Sequence, residues 1–98
     1  MIRHMVLFRF APQASSEQQS LVLAGLAGLP SLFPTMKRFG LGENISQRDQ
    51  TFSHVMTIEF ETRRELEDYL NSHDHEHFVA TTFKPNIERR AIATYEIA

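Results

Sequence analysis

At 98 residues, 42% hydrophobic and 22% charged, the chain has the length and composition of one ordinary globular domain, 1–98. A formal charge of -2 and a pI near 6.2 exclude the clustered basic field that nucleic-acid binding requires, and Arg63-Arg64 and Arg89-Arg90 are isolated pairs flanked by Glu. The absence of cysteine excludes disulfides, thiolate catalysis and cysteine metal sites, and no apolar run approaches the roughly 20 residues that span a bilayer.

A cytoplasmic protein is therefore expected, with no nucleic-acid and no membrane partner. Met1-Ile-Arg-His-Met5 enters an alternating segment at once, so no signal peptide is expected. A domain of this size buries only roughly two thirds of its unfolded surface, so its core is thin and a partner would help.

Residues 2–10 alternate: Ile2, His4, Val6, Phe8 and Phe10 point one way, Arg3, Met5, Leu7 and Arg9 the other. Period two makes this a strand. The first face should meet the core, while Met5 and Leu7 make the second too apolar to be left to water. Pro12 closes the strand. Ser15 or Ser16, with Gln18 or Gln19 three residues on, predicts a capping box that opens a helix. Its apolar side is Val22, Leu26 and Leu29, with Leu21 and Leu23 beside them. Gly25 and Gly28 each lower helix propensity by about 1 kcal/mol, which points to close approach to the sheet, or to room for a ligand.

Pro30 and Pro34 end that helix, and Thr35 to Leu41 reads as a second strand running into Gly40-Leu41-Gly42. Residues 43–52 are polar and read as a surface loop. A third strand carries His54, Met56, Ile58 and Phe60 on one face and Val55, Thr57 and Glu59 on the other, repeating the first strand's histidine followed by apolar residues. Thr62 with Glu65 predicts a second capping box and a helix through Leu66, Tyr69 and Leu70. The second helical region breaks at the histidine-rich stretch and resumes with Phe78, Val79 and Phe83. Arg90 to Ile97 is the last strand.

The order β-α-β-β-α-β predicts an α+β, ferredoxin-like fold: a four-stranded antiparallel sheet with helices on one face. The other face would carry Met5, Leu7, Val55 and Ala91 or Ala93, an apolar patch of the kind that marks an interface. A homodimer joining two open sheet faces covers it most simply.

Tyr69 to Val79 holds three of the five histidines and one of the two tyrosines. His4 and His54 sit on the apolar faces of two strands expected to be neighbours, and His75 would look down from the helix side. Burial disfavours the imidazolium, so a histidine there is neutral and accepts a proton near pH 7. Tyr69 could donate a hydrogen bond to a carbonyl becoming an enolate. Val6, Phe8, Met56, Phe78, Val79 and Ile92 would shape the pocket walls. The bland alternative makes His4 and His54 core histidines, bonded to each other or to backbone, and His75 a cap on a helix turn. His73 and His77, spaced i, i+4, share a helix face as two zinc ligands could. Asp74 and Glu76 lie off that face and no third ligand is evident, so no metal is expected.

Four segments in this order and spacing carry a family likeness: Ile2 to Phe10, Leu29 to Lys37, His54 to Phe60, and Tyr69 to Val79. Through them the chain resembles, over essentially its whole length, the stress-responsive dimeric α/β-barrel (Dabb) domain family. The resemblance implies two protomers whose sheets close into a central barrel with the helices outside. Most of that family has no assigned reaction. Within it, the chain is similar to olivetolic acid cyclase-type polyketide cyclases, which close a linear polyketide thioester by aldol chemistry without a cofactor. That reaction is attributed to a histidine base and a tyrosine six residues before it; His75 and Tyr69 fall at those positions, and His4 and His54 match pocket histidines. Two departures bear on the substrate: Ser72-His73 stands where the cyclase has His-Pro, and Leu26 stands where it has a pocket tyrosine. No haem-ligating pattern is present, so no cofactor is expected.

The expected function is cofactor-free acid/base catalysis, an aldol-type cyclisation or a related step, on a carbonyl or polyketide-like compound in a mostly apolar pocket. The alternative is a non-catalytic stress-responsive dimer that binds a hydrophobic ligand or a protein partner.

Overall fold

The strand β1 (Ile2–Phe10) has a partner on each side, and the rest of the chain is laid out around it. In the computed structural model, which describes residues Met1–Ala98, it is followed by α1 (Ser16–Ala27), α2 (Leu29–Leu32), β2 (Lys37–Glu43), β3 (His54–Phe60), α3 (Arg63–Leu70) and α4 (His73–Phe78). A π-helical turn (Val79–Phe83) and a 3-10 turn (Lys84–Asn86) then lead into β4 (Ile87–Glu96). The strands form one antiparallel sheet in the order β2-β3-β1-β4. This is the α+β ferredoxin-like arrangement that the element order predicts. No helix is long and apolar enough to cross a membrane.

Register turns the alternation of β1 into two surfaces. Directly opposed residues share a face, so Ile2, His4, Val6 and Phe8 stand with Phe60, Ile58, Met56 and His54 of β3, and with Glu96, Thr94, Ile92 and Arg90 of β4. The helices cover this side over β1 and β3, while Arg90, Ile92, Thr94 and Glu96 of β4 stay exposed. Phe8, Ile58, Phe60 and Val22 of α1 are fully buried there, each contributing about 1.5–3 kcal/mol of apolar transfer free energy. The opposite surface carries Met5 with Thr57 and Ala93, and Leu7 with Val55 and Ala91. Arg3 pairs with the buried Glu59 carboxylate at 3.0 Å at its edge. With Cα extents of 37 × 33 × 17 Å, the molecule is one sheet and one helix layer thick, and this second surface has no helix over it.

Local chemistry sets the helix ends. Ser15, rather than Ser16, is the cap residue of α1: its Oγ accepts from Gln18 N at 3.1 Å, and Gln18 Oε1 accepts from Ser15 N at 2.8 Å. Leu21 does not join the buried side of α1 and is 64% exposed. Gly25 permits a close approach, but to another helical segment instead of the sheet: a Cβ there would overlap the Phe78 ring, 2.8 Å from its Cζ and nearer still to its Cε1. Gly28 makes no such approach and ends the helix, donating its N–H to the Ala24 carbonyl at 3.0 Å.

Strand ends shift by a few residues from expectation. β2 begins at Lys37 rather than Thr35, because Met36 N–H bonds back to the Phe33 carbonyl in a turn, and a bulge with Arg38 at φ 47° follows. β4 begins at Ile87, three residues before the expected Arg90, and pairs with Phe10 there.

Candidate functional site

The break between α3 and α4 brings Tyr69 and His75 together. Thr62 Oγ1 accepts from Glu65 N at 3.2 Å and opens α3, while the Glu65 carboxylate reaches Glu61 N at 2.9 Å, one residue short of the reciprocal partner a full capping box requires. Ten residues after Thr62, Ser72 ends one helix and starts the next. Its Oγ donates to the Tyr69 carbonyl at 2.8 Å and accepts from His75 N at 3.1 Å. One hydroxyl thus couples the backbone of both residues, and their rings lie 4.6 Å apart at 58°.

His75 Nδ1 lies 3.0 Å from the Leu70 carbonyl. A carbonyl oxygen only accepts, so Nδ1 carries the proton, and the lone pair of the neutral ring is at Nε2. Burial lowers the His75 pKa from the ordinary histidine value, opposed in part by the Leu70 bond and by the Glu76 charge. Tyr69 is buried between Phe33, edge-on at 5.0 Å, and Phe60 at 5.7 Å. Desolvation raises its pKa well above the usual tyrosine value, so the phenol keeps its proton. His4 is also buried, with Nδ1 2.8 Å from Thr94 Oγ1. Its pKa is lowered by burial first and by the charge of His75 second. Both imidazoles are therefore neutral at pH 7.

These groups open onto a cavity of about 240 Å³ between the sheet and the helices, ten of whose thirteen lining residues are hydrophobic. Tyr69, His75 and His4 line it, as do Val6, Phe8 and Met56 of the sheet, Phe78 and Val79 of the helical segment, and Ile92 of β4. His54 does not. It faces Phe8 in the register at the start of β3, on the side away from β4, and its ring stacks on Phe8 at 5.3 Å and meets Phe10 edge-on at 5.2 Å. Phe8 therefore stands between His54 and the cavity. The two sheet histidines do not bond to each other; His54 Nδ1 is 2.8 Å from Ser53 Oγ.

Four lining residues were not assigned to the walls from the sequence: Leu26, Leu70, Phe83 and Arg90. For Arg90 a signal existed, since the period-two alternation of β4 that brings Ile92 inward brings residue 90 with it. His73 and His77 do share a helix face, their rings 5.7 Å apart, but both are exposed, and no group of three or more His, Asp or Glu side chains is gathered to hold a metal ion.

The strand order, the single helix layer and the cavity between them define a ferredoxin-like α+β protein with a pocket of small-molecule size. Residues 2–97 match the stress-responsive A/B barrel domain, Dabb, and the chain belongs to that family. It is 26% identical over 97 residues to the stress-response A/B barrel domain-containing protein HS1 of Arabidopsis thaliana, covering 97% of this chain and 88% of the relative. Among solved structures it is similar to a hydroxynitrile lyase from Passiflora edulis, with a TM-score of 0.88 and 25% identity over 99% of this chain and 93% of that one. A dimeric ferredoxin-like protein of Thermobifida fusca shares the fold, with a TM-score of 0.82 and 21% identity over 98% and 90% of the two chains.

Proposed function

We propose that the protein catalyses cofactor-free proton transfer on a small carbonyl or polyketide-like compound, an aldol-type cyclisation or a related step, with His75 as base and Tyr69 as hydrogen-bond donor. The observation that carries this reading is the bond from His75 Nδ1–H to the Leu70 carbonyl, which leaves Nε2 as the basic atom of a ring beside the Tyr69 phenol. In such a step Nε2 takes a proton from the carbon next to a carbonyl. The electron pair of that C–H bond moves to the carbonyl oxygen, where the Tyr69 hydroxyl meets the growing negative charge. The enolate carbon then attacks a second carbonyl, and the imidazolium returns its proton to the new alkoxide. Apolar walls keep water from competing for these hydrogen bonds. The Passiflora edulis relative supports the reading, because a fold this similar there serves a lyase.

The active unit in this reading is a homodimer closed through the open sheet face around Met5 and Leu7, as the Thermobifida fusca protein is dimeric. The apolar cavity walls also favour a second use, binding of a hydrophobic ligand without turnover. The two readings part at His75. With β-polyketo thioesters as substrates, His75→Ala should lower kcat by about 10²- to 10⁴-fold and Tyr69→Phe by less, with ligand affinity kept within a few-fold. Wild-type turnover in His75→Ala would remove His75 as the base, and binding without turnover in the wild type would leave only the binding role.

A further inference from the structure

We propose that the ligand of this cavity is a mostly apolar carboxylate whose carboxylate group is held at the cavity mouth by Arg90. The inference rests on reading the cavity as a ligand pocket and specifies what enters it. Arg90 stands directly opposite Phe8, on the face of β4 that borders the cavity, and lines that cavity while itself exposed to solvent. No Asp or Glu does so. With His4 and His75 held neutral by burial, Arg90 is the one formal charge on the walls.

Its pairing state is equally specific. Arg3, Arg9, Arg38, Lys37 and Arg64 each lie within ion-pair distance of a carboxylate of this chain. Arg90 has no such partner, and among the basic side chains that lack one it alone lines the cavity. A guanidinium is a planar fork that meets a carboxylate with two parallel N–H···O bonds.

The position of Arg90 also orients the ligand. Thr94, the hydrogen-bond partner of His4, lies four residues further along β4, about 13 Å away. The anion site and the His4, His75 and Tyr69 cluster therefore occupy opposite ends of the cavity. A ligand with its carboxylate on Arg90 extends its apolar body past Phe8, Val6 and Ile92 and presents its far end to Nε2 of His75.

Matched pairs of ligands test this on the full chain: phenylpropanoate, phenylbutanoate and phenylpentanoate, each against its primary amide, with Kd read from NMR titrations at low ionic strength. At least one acid should bind roughly three- to tenfold tighter than its amide. Arg90→Gln should abolish that preference, so that acid and amide bind alike, whereas Arg89→Gln, on the other face of the same strand, should keep it. Added salt should narrow the gap. Equal binding of acid and amide to the wild type, survival of the preference in Arg90→Gln, or its loss in Arg89→Gln would each overturn the anion site while leaving a ligand pocket in place. If neither acid nor amide binds at any length, the pocket reading falls and the anion site falls with it.

Discussion

The two faces of the sheet are both apolar at their centres, yet they are apolar for different ends. On the helix side, Ile58, Phe60 and Phe8 are fully enclosed by the chain itself, and the buried His4 is bonded to Thr94. On the other side Met5, Leu7 and Val55 are only half-buried, with no helix above them; Asn44, Ser46, Asp49 and Phe52 of the loop border Leu7 and Val55, and the charges of Arg3 and Glu59 close one end of the strip. The first face stabilises the protomer; in the proposed dimer the second gives its apolar area to another protomer. Alternation along one strand builds both, so a single-residue slip in register would exchange them.

Truncation separates the two faces most strongly. Phe60→Ala should destabilise the protein by about 3–5 kcal/mol, a large part of the roughly 5–15 kcal/mol that holds a domain folded. Leu7→Ala should cost the protomer less, about 1 kcal/mol, because Leu7 is only half-buried within the chain. Leu7→Lys should instead give a monomer by light scattering that still binds cavity ligands. Urea melts at two protein concentrations provide the check, since only an associating protein has a concentration-dependent midpoint. A Leu7→Lys protein that stays dimeric would move the interface off the open face.

Much of this contrast is legible in the sequence, and the part that is not has a definite cause. Period two along residues 2–10 and 54–60 assigns every side chain to a face, which is why the open-face residues and Val6, Phe8 and Met56 are readable in advance. A face is not a location on it. His4 and His54 begin their strands with the same pattern, but lateral position depends on strand order and register, and the antiparallel pairing sends His54 to the Phe8 end and leaves His4 beside Thr94. The role of Ser72 was hidden for another reason. A helix break is visible from composition, but one hydroxyl serving as both stop and start is a three-dimensional arrangement.

Gly25 is the sharpest case of a contact invisible from local pattern, because its partner Phe78 lies more than fifty residues away. Gly25→Ala gains about 1 kcal/mol of helix propensity and meets an overpacking cost of about 1–3 kcal/mol. Phe78 also lines the cavity, so its ring has space to move into. A net loss of about 1 kcal/mol is expected, together with a roughly tenfold loss of ligand affinity as the ring fills the pocket. Higher stability with unchanged affinity would show that Gly25 does not set the cavity wall.

The smallest effect is a slope with pH, and it too belongs to one face only, because both sheet histidines lie on the helix side. Burial holds His4 below its ordinary value of 6.5, and the charge of His75 lowers it further. The unfolded chain therefore binds more protons than the folded one at and below that pH, and stability rises with pH through the window. The contribution of His4 is fully present above pH 6.5 and is lost as the pH falls through its folded pKa. His75, lowered mainly by its own burial, adds a change of the same sign. His4→Gln keeps a polar group facing Thr94 and removes one titration. Its unfolding free energy should fall less steeply than that of the wild type between pH 6.5 and the range where carboxylates begin to protonate, whatever its stability at pH 7. Urea melts across this window measure both slopes. Parallel slopes would mean that the charged form of His4 is tolerated in the fold, which would remove the burial argument for a neutral imidazole beside His75.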